Sequence, residues 1–129
     1  MGLKITLKPG ERMVIGGAVI TNGGQKTNFI VENKVPILRE KDILNAENAN
    51  SPARRIYFTI QLMYIDGKNL KNHHKRYWEL VKDFLEAAPS ALNVIDKVSE
   101  NILGANYYQA LKSCKKLIAY EKEVVARVQ

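Results

Sequence analysis

Seven basic side chains in the first half of the chain are the residues best suited to binding chemistry. They lie on or beside predicted strands, or open a predicted helix, and they are Lys4, Lys8, Arg12, Lys26, Arg39, Arg54 and Arg55. Arginine binds phosphate through a planar fork of N–H donors, whereas lysine binds it as a point charge. Arg54 and Arg55 occupy the first turn of a helix, where the macrodipole favours acids. The set predicts a site for a polyanion, and the alternative explanation is simple solubility.

Residues that could catalyse a reaction or bind a metal do not form a recognisable set. His73 and His74 are adjacent, so they point to different faces of a helix and cannot form a metal-binding pair. Cys114, the only cysteine, lies on an apolar stripe with no histidine near it in sequence, which indicates a buried thiol. Gly16–Gly17 and Gly23–Gly24 do not match a nucleotide-binding phosphate loop and indicate turns. We therefore expect no enzyme activity, no metal and no cofactor.

Composition and charge narrow the class of protein further. The chain has 129 residues, a hydrophobic fraction of 46% and a net charge of +7, with 20 Lys and Arg against 13 Asp and Glu. No apolar run approaches the ~20 residues of a membrane span, and the N-terminus lacks the apolar region of a secretory signal. A single cysteine excludes an internal disulfide framework. The basic surplus is spread evenly along the chain, with +2 in residues 1–50, +3 in 51–90 and +2 in 91–129. We expect a cytoplasmic protein without membrane association, and the basic balance raises the expectation of a nucleic-acid partner.

Five short strands are predicted in residues 1–48. Apolar and polar residues alternate from Leu3 onward, and the further strands are predicted at residues 12–15, 18–21, 26–32 and 35–39. Asn22–Gly23 predicts a type I′ hairpin turn, which needs a positive φ at both central residues. Pro36 places the last strand at an edge or a bulge. A unit of this size buries too little surface to be stable alone, so it needs a helical layer, a second copy, or both.

Four helices are predicted in residues 49–129. Ser51 and Pro52 are a typical N-cap and first helical residue, and residues 53–65 are apolar on most sides, which indicates a central buried helix. Two amphipathic helices follow and end at Pro89 and Gly104, and the fourth carries Tyr107 and Tyr108. The predicted fold class is α+β, with a five-stranded antiparallel β unit at residues 1–48. A four-helix bundle at residues 49–129 follows, packed with it as one compact chain.

Five segments spread over nearly the whole chain carry a resemblance to a known family. They are Leu7–Arg12, Ala18–Gly23, Leu38–Leu44, Ser51–Phe58 and Tyr107–Lys112. Together they resemble the flagellum biosynthesis repressor family FlbT, most specifically in the Pro-Ala-Arg-Arg-Ile-Tyr-Phe block. The resemblance implies a protein that binds the 5′ untranslated leader of flagellin mRNA and represses translation or promotes decay. It also implies the small co-regulator FlaF as a protein partner.

A second, weaker resemblance is confined to the β part. It rests on Lys8–Glu11, Val14–Gly16 and Val35–Glu40, which are similar to segments of the carbon storage regulator family CsrA. That resemblance implies an intertwined homodimer of five-stranded chains that binds mRNA leaders, with Arg39 at the position of an RNA-contacting arginine. Leu7 stands where that family has another such arginine. A shared RNA surface would therefore have to be rebuilt from Lys8 or Lys4.

Two functions follow from these patterns. The first is an RNA-binding translational regulator that covers the leader of flagellin mRNA, with two symmetric sites in a homodimer. The second is a protein-interaction module in which the helical half holds a flagellar co-regulator or acts as a flagellin-binding adaptor, with only indirect effects on RNA. Exposed apolar surface on the helices that contain Trp78 or Tyr107 would favour the second.

Overall fold

The computed structural model describes the backbone of residues 2–128 and the side chains of residues 2–125. Five strands precede four helices, which confirms the predicted α+β class. The strands are β1 (Leu3–Leu7), β2 (Arg12–Ile15), β3 (Ala18–Thr21), β4 (Thr27–Val31) and β5 (Ile37–Arg39).

The strands form two antiparallel sheets. β1 pairs with β4, with Lys4 opposite Ile30, and the second sheet has the order β3-β2-β5, with Met13 opposite Arg39. Alternation along β1 turns Ile5 and Leu7 inward, where they join Met13 in a buried apolar cluster. Lys4 therefore lies on the opposite face of the β1–β4 sheet.

The turn predicted at Gly16–Gly17 is present, and the tight hairpin lies there instead of at Asn22–Gly23. Gly16 and Gly17, between β2 and β3, have φ angles of 56° and 90°, whereas neither Asn22 nor Gly23 has a positive φ. The backbone of Asn22 instead exchanges hydrogen bonds with Gly10 and Glu11, and its side-chain oxygen accepts the N–H of Gly24. The prediction of a type I′ turn at Asn22–Gly23 was wrong, because that asparagine extends the β2–β3 pairing.

The fifth strand is shorter than predicted. It begins at Ile37, after Pro36, and it lies at the edge of its sheet as expected. Pro36 has no N–H to offer a neighbour, but its carbonyl accepts the N–H of Gly16 at 2.9 Å. The proline therefore ends the ladder without leaving its own acceptor unpaired.

The helices are α1 (Pro52–Ile65), α2 (Leu70–Ala87), α3 (Leu92–Leu103) and α4 (Tyr107–Val128). α1 packs against α2 and α4, and α3 packs against α4. The central position predicted for α1 is confirmed, since Ala53, Ile56 and Ile60 are almost fully buried. No helix among residues 2–128 has both the length and the apolar content that a bilayer crossing requires.

Internal contacts divide the chain into two units, a strand unit that ends at Ile43 and a helical unit that begins at Leu44. The side chain of Gln61, buried in α1, accepts the N–H of Leu44 at 2.8 Å and donates to its carbonyl at 2.9 Å. Both backbone groups of Leu44 are thus satisfied by one amide. This clamp attaches the segment before α1 to the helical unit.

Candidate nucleic-acid interface

Arg39 is the most constrained of the predicted binding residues. Its Nη2 donates to the carbonyl oxygen of Thr6 at 3.0 Å and to Oε2 of Glu11 at 3.4 Å. The other oxygen of Glu11 accepts the backbone N–H of Lys8 at 2.9 Å. The guanidinium of β5 is therefore tied to β1 and to the loop that follows it, within the strand unit.

Glu11 is the charge partner that holds Arg39. The hydrogen bond from the backbone N–H of Lys8, followed by the guanidinium of Arg39, lowers the pKa of Glu11 from its ordinary value. The carboxylate therefore stays ionised to a lower pH than a free glutamate. No local pattern in the sequence could have revealed this role of Glu11, because its partner lies 28 residues away.

A surface cavity of about 450 Å³ opens beside this arrangement and is lined by Glu11, Arg39, Glu40 and Lys41. The Arg39 side chain is 40% exposed, and its Nε is enclosed without a hydrogen-bond partner among the described residues. Arg12 joins from β2, with its Nε 3.8 Å from Oε1 of Glu40. Such an exposed ion pair contributes about 0–1 kcal/mol.

The remaining bases of the strand unit lie outside this cavity. Lys4 is on the face of β1 turned away from the core, Lys8 follows the end of β1, and Lys26 is exposed just before β4. Lys8 is linked to the Arg39 arrangement through its backbone N–H, which donates to Oε1 of Glu11. The structure thus places Arg39 at the cavity, Arg12 beside it through Glu40, and Lys8 beside it through Glu11.

Arg54 and Arg55 belong to the helical unit, at the beginning of α1. The Nη1 of Arg54 donates to the side-chain oxygen of Asn50 at 3.3 Å. Arg55 is exposed and lines a cavity of about 330 Å³ whose other walls come mainly from apolar residues of α2 and α4. The two adjacent arginines therefore face different surroundings.

The unfavourable placement of two arginines at a helix N-terminus has a tertiary explanation. Oε2 of Glu121, in α4, accepts the N–H of Ala53 at 2.9 Å. The acid that the macrodipole favours is thus supplied from 68 residues away instead of from the first turn of α1. No local sequence signal could have revealed it.

The histidines and the cysteine make structural contacts. Nε2 of His73 lies 3.1 Å from Oδ2 of Asp66, and Nε2 of His74 lies 2.9 Å from the hydroxyl of Tyr107. Cys114 is buried, as predicted, and burial raises the pKa of its thiol. Within the part of the chain that the structure describes, no group of His, Cys, Asp and Glu could hold a metal ion.

Comparison with known proteins identifies the family. A family model described as flagellar protein FlbT matches residues 3–125. The chain belongs to the FlbT family. The resemblance seen in the sequence is therefore confirmed, and the match extends through both the strand unit and most of the helical unit.

Individual FlbT relatives match over almost their whole length. A probable flagellum biosynthesis repressor protein FlbT 1 from Bradyrhizobium diazoefficiens is 45% identical over 96% of this chain and 85% of its own. A probable FlbT repressor from Rhodopseudomonas palustris is 43% identical over 98% of this chain and all of its own. The flagellum biosynthesis repressor protein FlbT of Caulobacter vibrioides is 35% identical over 99% of this chain and 92% of its own. No solved structure matches this FlbT chain.

Proposed function

We propose that the protein is an RNA-binding post-transcriptional regulator of flagellin synthesis. It would bind the 5′ untranslated leader of flagellin mRNA in the cytoplasm and repress translation or promote decay. The flagellar part of the proposal is supported by the relatives, which are named as flagellum biosynthesis repressors. The RNA part is carried by one observation, the guanidinium of Arg39 held in place beside an open cavity.

An arginine immobilised in this way suits RNA recognition. One Nη atom of Arg39 is used by Thr6 and Glu11, so the planar group keeps one orientation and loses little entropy when a ligand binds. The exposed remainder of the fork can donate to a phosphate or to a base edge. Lys8 and Arg12 then supply further positive charge along the same loop and strand.

Lys4 and Lys26 would extend the phosphate contacts beyond the cavity within the strand unit, and Arg54 and Arg55 would offer separate phosphate contacts in the helical unit. In this mechanism single-stranded leader RNA crosses the strand unit, and the bound protein blocks access of the ribosome. Most of the binding free energy comes from counterions that the RNA releases, so the affinity depends on the salt concentration. The sequence preference comes from the base contacts of Arg39.

A homodimer would give the strand unit more buried surface. The buried apolar side chains described in this unit are few, Ile5, Leu7, Met13, Val14 and Leu38, whereas Val19 is 67% exposed and Ile30 is 61% exposed. A second copy that covers such side chains would compensate for the small core. Light scattering tests this proposal, since a monomer at the concentrations that bind RNA would refute the dimer without affecting RNA binding.

The RNA proposal is tested by titrating a labelled flagellin leader with purified protein at several salt concentrations. We expect a log–log salt slope of about −0.7 for each phosphate contacted, and an affinity loss of about tenfold or more for Arg39→Ala. Lys34→Ala, at an exposed lysine between β4 and β5, is the matched control. An affinity that does not change with salt would refute electrostatic RNA binding. An affinity of Arg39→Ala equal to that of the wild type would exclude Arg39 from the binding site.

The cavity beside Arg55 favours a second candidate, a protein-interaction module. Its apolar walls include Phe84 and Val125, and its volume of about 330 Å³ is large enough for side chains of a partner helix. The partner would be FlaF or flagellin, and RNA would be affected only indirectly. Leader binding that appears only after one of these proteins is added would support this candidate over the first.

A further inference from the structure

One face of α2 combines lysines with the only tryptophan of the chain. Lys71, Lys75, Trp78 and Lys82 recur at the spacing i, i+4, i+7 and i+11, which places them on one side of a helix. All four side chains are exposed, and 39% of Trp78 is accessible. We call these four residues the Lys–Trp stripe.

Trp78 is held in a defined orientation. Its ring meets that of Tyr77 edge to face, with the centroids 4.9 Å apart and the planes at 79°. Tyr77 is itself fully buried, and its hydroxyl hydrogen-bonds the hydroxyl of Ser99 at 2.8 Å. The indole of Trp78 therefore packs against the fixed ring of Tyr77, and part of its surface is exposed to solvent.

More aromatic rings and cations lie at the end of the helical unit where α2 begins. His74, one turn before Trp78, contacts Tyr107 of α4, and the ring centroids are 5.9 Å apart. Tyr108 packs against Tyr64 of α1 at 5.9 Å and lies 5.1 Å below the ammonium group of Lys112. These contacts bring residues 64–76 and 107–112 to one end of the unit.

This end of the helical unit is strongly basic. Segments 64–76 and 107–112 contain five Lys and Arg residues and one carboxylate, Asp66, a net charge of +4, and Lys82 of the stripe is balanced by the exposed Glu79 next to Trp78. The basic surplus looked evenly spread along the sequence, but the helix contacts concentrate it. Lysine is depleted in protein–protein interfaces, so a lysine-rich aromatic surface fits a nucleic acid better than a protein.

We propose that the Lys–Trp stripe, with the tyrosines beside it, is a second binding surface for single-stranded RNA. Bases stack on exposed aromatic rings while lysines follow the phosphates, which is how sequence-tolerant single-strand binding works. The inference rests on the proposed function for its natural ligand, but the site lies in the other unit from Arg39. It would hold the leader nonspecifically while the Arg39 region reads sequence.

Because Trp78 is the only tryptophan, its fluorescence reports on the site directly. We expect an oligouridylate of about ten nucleotides to quench this emission, and to do so more weakly at about 200 mM than at about 50 mM salt. With a labelled oligonucleotide, Trp78→Ala should weaken binding by about 5- to 150-fold, whereas Trp78→Phe keeps most of the affinity. Leu92→Ala, at another exposed apolar side chain, should change nothing.

The charge contribution has its own matched pair of variants. Lys75→Gln should reduce the magnitude of the salt slope by about 0.7, and Lys122→Gln, at an exposed lysine of α4, should leave it unchanged. Trp78→Phe guards against misfolding, since it keeps an aromatic ring in contact with Tyr77. Equal slopes for the two lysine variants would overturn the proposal.

Two further outcomes separate this surface from the proposed function. In the first outcome, the flagellin leader binds with the expected salt slope, but Trp78 emission is not quenched and Trp78→Ala does not change the affinity. The second surface is then refuted, while leader binding by the protein is supported. If oligouridylate quenches Trp78 but the flagellin leader binds no better than an unrelated RNA, the surface is supported and the specific regulatory role fails.

Discussion

The N-terminus of α1, which carries Arg54 and Arg55, depends on a carboxylate from α4. Three positions follow the cap residue Ser51: Pro52 has no N–H, Ala53 donates to Glu121, and Arg54 donates to the hydroxyl of Ser51 at 3.2 Å. All donors of the first turn are therefore satisfied without water. Replacing Glu121 by alanine removes one of these acceptors and leaves the N–H of Ala53 without a partner.

The cost of Glu121→Ala follows from this geometry. Ala53 is 0% exposed, so solvent cannot easily replace the lost acceptor, and an unsatisfied buried N–H costs about 1–3 kcal/mol. Loss of the favourable charge at the helix N-terminus adds about 0.3–1 kcal/mol. We expect a decrease of about 2 kcal/mol in the free energy of unfolding of the helical unit. Glu121→Gln keeps an acceptor oxygen and should lose only the smaller electrostatic part.

Urea unfolding followed by far-ultraviolet circular dichroism measures this difference. With a slope of about 2 kcal/mol per molar urea, the midpoint for Glu121→Ala should fall by about 1 M. Glu79→Ala, at an exposed acid of α2, is the control and should stay within about 0.5 kcal/mol of the wild type. The reasoning is refuted if Glu121→Ala matches this control, or if the glutamine variant is as unstable as the alanine variant.

Three further predictions concern the strand unit and the segment that precedes α1. The pKa of Glu11 lies below its ordinary value of 4.5, so its ionised form stabilises the fold above that pH, and this stability is lost as the pH falls through the folded-state pKa. Glu11→Gln should remove that component of the acid dependence in urea titrations at several pH values. Gly16→Ala should destabilise the β2–β3 hairpin by about 1 kcal/mol because φ is positive at Gly16. Gly23→Ala should not destabilise it, because φ is not positive at Gly23 and an added Cβ would meet open space. Hydrogen exchange of the β2 amides measures the difference between the two variants. Gln61→Leu should lower the unfolding free energy by about 2 kcal/mol, since it leaves both backbone groups of Leu44 unpaired, and a change below about 0.5 kcal/mol in thermal unfolding would contradict the clamp.

Local patterns in the sequence were sufficient for most elements of the fold. The alternation in β1, the Ser51–Pro52 start of α1 and the three-and-four spacing in α2 each depend on residues close together in the chain. The prediction at Asn22 was wrong because it considered only neighbouring residues. The Asn22–Gly23 dipeptide favours a tight turn, but backbone pairing of Asn22 with Gly10 and Glu11 outweighs that preference.

The candidate site was predictable only in part. Arg39 and Arg12 could be chosen from their residue type and from their place on strands, but their acid partners could not. Glu11 lies 28 residues from Arg39, and Glu40 lies 28 residues from Arg12, and nothing local relates them. The even distribution of charge along the chain similarly hid the basic end of the helical unit.

By itself, the sequence determined the α+β class, the order of the elements, the buried thiol of Cys114 and membership of the FlbT family. These features depend only on local periodicity and on residue identity. Only the tertiary structure decided which charges meet. It placed Glu11 against Arg39 and Glu121 at the start of α1, and it left Trp78 exposed among lysines. The physical reason is that ion pairs and exposure depend on distances in space, which strand pairing and helix packing set between residues far apart in the chain.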